Sequence, residues 1–164
     1  MPMQVFYSLS VFNYKDILDI NFENSNIILG PGPGHPDEYV EFFKSIGLEL
    51  KSRLRKSRKV VGICLGHQLI FSTLFNCPIV RSKIPMHGRS VRIKRDQILP
   101  ECYSGINLRD ANLQRYNSLT VAITDDFQNL HPELVLVYDE NDELVITNES
   151  SKLLTMQVHP ESVG

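Results

Sequence analysis

Apolar positions in the first half of the chain alternate between short runs and one longer periodic stretch. The segments "MQVFYSL" (3–9) and "NIILG" (26–30) have strand length, and glycine and proline end the second. From Asp37 to about Lys56, the residues Tyr39, Phe43, Ile46, Leu50 and Leu54 recur every three or four positions, which predicts a helix with one buried stripe. "KVVGI" (59–63) reads as a buried strand and "GHQLIFSTLF" (66–75) as the helix behind it. Strand, helix, strand, helix is the grammar of a parallel sheet with crossover helices.

The pattern changes after residue 89. "SVRIKR" (90–95), "LTVAIT" (119–124), "ELVLVYD" (133–139) and "ELVITNE" (143–149) are short runs separated by polar turns, with "DEND" (139–142) as a hairpin loop. A last strand, "KLLTMQV" (152–158), leads into "HPESVG". No internal repeat or low-complexity tract interrupts the chain. These elements predict a single α/β domain over 1–164, with a mostly parallel central sheet flanked by helices and a small antiparallel portion added.

Composition narrows the class. At 164 residues, 42% apolar and 22% charged, the chain is ordinary globular material that needs no disulfide or metal staples. The net charge is −2, and the one basic run, "KSRLRKSRK" (51–59), carries Leu54 inside it, as the solvated end of an amphipathic helix does. It is too small a basic surface to predict nucleic-acid binding. Three cysteines, at 64, 77 and 102, form no disulfide framework and match no zinc spacing, which points to a reducing compartment. With no signal-peptide pattern and no apolar run near 18 residues, a cytoplasmic protein without membrane contact is expected.

Within this frame "GICLG" (62–66) raises a chemical question. A free cysteine is usually a small buried hydrophobe. Here Gly62 and Gly66 flank Cys64 between a strand and a helix, as in a nucleophile elbow, where glycines make room for a strained turn that lifts the reactive side chain above the sheet edge. The start of a helix lowers a thiol pKa toward the thiolate, and the Leu65 amide can face a developing oxyanion. A cysteine nucleophile needs a base, and the chain offers His35, His67, His87, His131 and His159. Two of these open the tripeptide "HPE", at 131 and 159. The first lies in a polar connection where Pro132 and Glu133 read as turn material. The second ends a strand, on the edge where α/β proteins place their sites. In an extended segment residues i and i+2 project to one side, so Glu161 is within reach of the His159 ring and His159 is the favoured base. The helix turns His67 into the structure behind the elbow. "GPGPGHP" (30–36) is either a sharp turn or a stiff loop that presents amides to an anion; without Gly-Lys-Ser/Thr it is no phosphate-binding P-loop.

Together these residues resemble the triad-type, class I glutamine amidotransferases. "GICLGHQ" is similar to the family's nucleophile motif and "HPES" to its histidine and glutamate. "GPGPGHP", "PMHG" (85–88) and "RYNSL" (115–119) resemble motifs of the small subunits that serve anthranilate and aminodeoxychorismate synthases. The resemblance runs from about Val5 to Ser162. It implies flavodoxin-like layering and a glutaminase in which Cys64, His159 and Glu161 are catalytic. Cys64 would form a glutamyl thioester and His159, oriented by Glu161, would move the protons. The amides of Gly34 and Leu65 would form the oxyanion hole. Gly32, Gln68, Ser118 and Leu119 match positions that hold the substrate's α-amino and carboxylate groups. His87 and Gly88 would face a chorismate-using synthase that receives the ammonia. The glutaminase half-reaction implies no metal and no cofactor.

The chain departs from the family pattern in places. Small subunits usually begin with another strand and helix, whereas this chain enters at "QVFYSL"; the resemblance implies that the first strand–helix unit and the helix after "HPES" are lacking. Asn117 stands where a histidine is usual, Val158 replaces a phenylalanine and Gly30 a serine. Asparagine forms hydrogen bonds but carries no proton, which bears on coupling to the partner more than on the triad. Two other readings follow: a truncated module that keeps the triad and docks on or regulates a synthase, and a stand-alone hydrolase of γ-glutamyl amides.

Overall fold

The computed structural model describes residues 10–11, 13–23, 25–33, 37–97, 110–149 and 152–162. The strand expected at 3–9, together with Gly34 and Cys102, lies outside them. The first element is a 3-10 turn, Tyr14–Asp19, whose cap Asn13 accepts the Lys15 amide at 3.1 Å and which buries Ile17.

The apolar stripe from Tyr39 to Leu54 is carried by two helices rather than the single one expected. Helix α1 (Asp37–Ser45) stops before Ile46, whose backbone at φ −101°, ψ 4° leaves helical geometry, and α2 (Gly47–Lys56) starts after it. Glycine is a poor helix interior residue, and Gly47 stands at the joint. The amide of Leu50 still bonds the carbonyl of Ile46 at 2.8 Å, so Phe43, Leu50 and Leu54 all reach the same core. The basic residues that end α2 suit the negative end of its dipole. Lys51 Nζ also donates to the Leu74 carbonyl at 3.0 Å, and Arg53 to that of Leu18, so part of the basic run closes open chain ends.

Strands β1 (Asn26–Leu29) and β2 (Lys59–Ile63) pair in parallel, and α3 (Leu65–Leu74) follows β2. The short strands β3 (Ile79–Arg81), β4 (Arg89–Val91), β5 (Leu113–Arg115) and β6 (Leu119–Val121) form two antiparallel ribbons, β3–β6 and β4–β5. These ribbons are the added antiparallel portion. "SVRIKR" and "LTVAIT" are therefore strands only in part: beyond Val91 just Ile93 bridges, to Asp139, and beyond Val121 no ladder continues. A one-turn helix α4 (Phe127–Leu130) precedes β7 (Val135–Tyr138), β8 (Leu144–Glu149) and β9 (Leu153–Met156).

The main sheet has the order β1-β2-β9-β8-β7. Strand β9 is parallel to β2 and antiparallel to β8, and β7 is antiparallel to β8. Only β8 thus runs against the other four, which makes the sheet mostly parallel. One core joins Phe43, Leu50, Val60, Leu69, Phe71 and Leu153 on the helical face. A second, smaller core lies against the β4–β5 ribbon, around Val91, Val137, Val145 and Val158. Among the described residues no helix is long and apolar enough to cross a membrane.

The ribbon side encloses a charge. Arg115, at the end of β5, is fully buried, and its Nη1 donates to Asp139 Oδ2 at 2.6 Å. Its Nη2 meets Glu143, which also accepts from Ser82, and Nε donates to Asn117 Oδ1 at 3.0 Å. The other oxygen of Asp139 accepts the amides of Asn141 and Glu143, at 2.9 and 3.0 Å. The same carboxylate therefore shapes the β7–β8 hairpin and neutralises Arg115. Removing one partner of a buried pair strands the others without solvent. Arg115→Met is expected to cost about 3–5 kcal/mol, read from urea denaturation; a loss under about 1 kcal/mol would show that the two carboxylates find other partners.

Candidate active site

The chain turns from β2 into α3 on a single residue. Cys64 has φ 51° and ψ −103°, a backbone that non-glycine residues rarely adopt, and it caps α3, its carbonyl accepting the Gln68 amide at 3.2 Å. The strain sits on the cysteine itself, and the neighbouring glycines provide closeness rather than rotation. A Cβ on Gly66 would stand 1.9 Å from the Leu29 carbonyl oxygen, and one on Gly62 2.6 Å from Ile70 Cδ1. The first turn of α3 therefore lies directly against the ends of β1 and β2. A Cβ on Gly32 would likewise stand 2.9 Å from Leu65 Cδ2, so the glycine-proline loop lies beside the elbow.

The expectation of an acidified thiol fails in this state. Burial pushes the Cys64 thiol above its ordinary value, the Leu65 amide and the Gln157 side chain offset this in part, and the charge of Glu161 adds to the rise. Desolvation of an anion outweighs the helix end here. Cys77 is buried and carried further, up to about 11, as an inert core residue is.

The expected base, His159, follows the adjacent strand. β2 and β9 pair in register, Ile63 opposite Met156, and the Cys64 amide donates to the Met156 carbonyl at 2.8 Å. Beyond Met156 the chain leaves the ladder, two residues sooner than expected, and passes Gln157 and Val158 to His159. The His159 amide donates to the Gln114 carbonyl at 2.9 Å, and Tyr116 meets the ring edge-on with centroids 5.0 Å apart. Nδ1 lies 2.7 Å from Glu161 Oε1. A carboxylate only accepts, so Nδ1 is the donor, and in the neutral ring the lone pair falls to Nε2. Burial works against the Glu161 charge, but hydrogen bonds from its own amide and from His159, together with the charge of His159, hold its carboxyl below the usual range. Nε2 is buried and has no hydrogen-bond partner. That is the atom a nucleophile's proton would go to.

The other "HPE" makes a similar local pair, His131 Nδ1 to Glu133 Oε1 at 3.3 Å. Its ring, however, packs against Phe75 and Phe127, between α3 and α4. His67 is fully buried, bonded to Thr155 Oγ1 at 2.9 Å and lowered by burial to about 3. It is no base. Its depressed value stabilises the fold fully above pH 6.5, and that contribution is lost as pH falls toward 3, because the unfolded imidazole takes a proton that the folded one refuses. From pH 7 to pH 5 this amounts to about 2 kcal/mol. His67→Gln is expected to flatten that slope in urea titrations at the two pH values; equal slopes would refute it.

Three of the expected substrate residues converge near the elbow. Gln68 is buried, and its Nε2 donates both to the Leu119 carbonyl, at 2.9 Å, and to Gln157 Oε1, at 2.8 Å. Both amide hydrogens are spent, and Oε1 is left as its acceptor. Ser118 is exposed, with its carbonyl taken by the Ser82 amide at 2.9 Å. Leu119 also accepts from Asn117 Nδ2 at 2.9 Å. Asn117 thus accepts from Arg115 and donates to Leu119 at once, so the asparagine fills its buried position without a proton to exchange. His87 and Gly88 are exposed, and the Gly88 amide bonds the Arg115 carbonyl at 3.0 Å. At φ 69°, with a Cβ position 3.2 Å from the Tyr116 ring, Gly88 lies one aromatic ring away from His159. Gln157 is the residue that sequence reasoning missed. Its place two before His159, on the side that Glu161 takes two after it, was the available signal. Among the described residues no cluster of His, Cys, Asp or Glu could hold a metal ion.

An elbow cysteine and a glutamate-held histidine, each just past the end of one of two neighbouring parallel strands, are the kinds of group that thiol-based acyl transfer uses. The family model for class I glutamine amidotransferases matches residues 3–164, and the chain belongs to that family. It is 30% identical over 141 residues to the anthranilate synthase component 2 of Leptospira biflexa, covering 84% of this chain and 67% of the relative. It is 31% identical over 142 residues to the protein of the same name from Saccharolobus solfataricus, covering 84% and 68%. The fold is similar to that of a glutamine amidotransferase from Thermotoga maritima, with a TM-score of 0.58 at 20% identity, over 82% of this chain and 55% of that one.

Proposed function

We propose that the chain is the glutaminase subunit of a chorismate-using amidotransferase. The observation that carries this is the His159–Glu161 pair at 2.7 Å, with Nε2 unbonded, just beyond the strand that neighbours the one leading into Cys64. Cys64 Sγ adds to the side-chain carbonyl carbon of glutamine while its proton passes to His159 Nε2. The C–N bond then breaks, ammonia leaves with that proton, and a glutamyl thioester remains. His159 next takes a proton from water, and the resulting hydroxide splits the C–S bond, releasing glutamate and restoring the thiol. Leu65 supplies one oxyanion amide and, on the resemblance, Gly34 the other. Oε1 of Gln68 suits an α-ammonium group, because only an acceptor is left on that side chain.

The relatives' name, component 2, supports a partner synthase as the destination of the ammonia. The exposed turn at His87 and Gly88 is the proposed docking side. The alternative reading is a non-catalytic docking module. The two readings separate on a glutamine-like chloroketone. Labelling confined to Cys64 and blocked by glutamine is expected, with no label there in Cys64→Ser. A folded wild-type chain that takes no label at Cys64, alone or with the synthase, would support the module. In the complex, His159→Asn should lower the rate of glutamine hydrolysis by about 10²- to 10⁴-fold.

A further inference from the structure

The cysteine sulfur has a neighbour outside the triad. Gln157 is fully buried, its backbone amide is fixed to the Val145 carbonyl at 2.8 Å, and its Nε2 lies 3.5 Å from Cys64 Sγ. The direction of this side-chain amide is dictated step by step. The Leu119 carbonyl can only accept, so it turns the NH₂ group of Gln68 toward itself, at 2.9 Å. The second hydrogen of that NH₂ group then points at Gln157, which must answer with its oxygen, at 2.8 Å. The remaining end of Gln157, its own NH₂ group, is left facing the sulfur. Reversing Gln157 would set two NH₂ groups against each other and leave two buried donors without acceptors.

We propose that Gln157 is a positioning residue for the nucleophile: held by Gln68, it fixes the Cys64 sulfur at the elbow and supplies the donor that the thiolate requires. A donor of fixed direction serves the anion far better than the thiol, since a hydrogen bond to a charged acceptor is the stronger kind. It also leaves the S–H hydrogen no acceptor on the Gln157 side, so the proton must depart elsewhere, as transfer to His159 demands. The chain Leu119–Gln68–Gln157–Cys64 further ties the nucleophile to a segment expected to hold substrate. This inference deepens the glutaminase reading and rests on it for its purpose.

The test is the rate of Cys64 alkylation by iodoacetamide against pH, followed by peptide mass spectrometry on the full chain. Gln157→Met keeps the side-chain length and removes the donor. Its loss is expected to raise the apparent pKa of Cys64 by about one unit. Thiolate nucleophilicity rises with basicity, so the profiles should cross: about threefold slower than wild type well below the pKa and about threefold faster well above it. Gln68→Met, with Gln157 in place but unheld, should move the profile the same way by a smaller amount. It decides the question alone if Gln157→Met does not fold. A purely structural role would lower thermal stability and leave the pKa unmoved; folded variants with the wild-type profile overturn the proposal. Iodoacetamide needs neither glutamine nor a partner, so this result is independent of whether glutamine protects the thiol, which tests the glutaminase reading.

Discussion

The hydrogen bond from the Cys64 amide to the Met156 carbonyl is the contact on which the site depends. It is the last rung of the β2–β9 pairing, made where β2 has already turned away into α3. Everything with chemical character lies just beyond that rung. On one side are the elbow and the helix; on the other are Gln157, His159 and Glu161. Parallel pairing is what puts both carboxyl ends on one edge, since an antiparallel partner would have sent its C-terminus to the opposite end. The mostly parallel sheet is therefore the reason why Cys64 and His159, so distant in sequence, come to the same sheet edge.

The elbow combines strain with close packing. A positive-φ cysteine is stable only where its surroundings over-determine it, and here Gly62 and Gly66 permit that by letting α3 lie against the strand ends. The same closeness buries the sulfur. Burial and the helix end then act in opposite directions on the thiol, and burial is the larger influence. The Cys64 sulfur faces the amide donor of Gln157, and His159 Nε2 has no hydrogen-bond partner.

Much of this was legible in the residues and some was not. Gly62, Cys64 and Gly66 form a local pattern, and local patterns survive folding well. The i,i+2 spacing of His159 and Glu161 was equally direct. Yet the identical spacing at His131 and Glu133 produces a similar contact in the wrong place, and only the strand order separates the two. Ser82, Arg115 and the hairpin that carries both Asp139 and Glu143 lie in separate segments, so no window of sequence shows that they enclose one another. The break at Ile46 and Gly47 escaped because the apolar periodicity runs straight through it. The direction of the thiol shift depends on how much water the fold leaves at the sulfur, which is a property of packing and not of any motif.

Strand β9 comes last among the described strands yet lies at the centre of the sheet, between β2 and β8. A chain emerging from the ribosome would offer Cys64 long before Met156, Gln157 and His159. Until β9 inserts, β2 and β8 have unpaired inner edges, and the elbow lacks both its amide anchor and the Gln157 donor. Assembly of the sheet and completion of the elbow's surroundings are thus one event, and a chain made only as far as β8 carries a cysteine without its anchor.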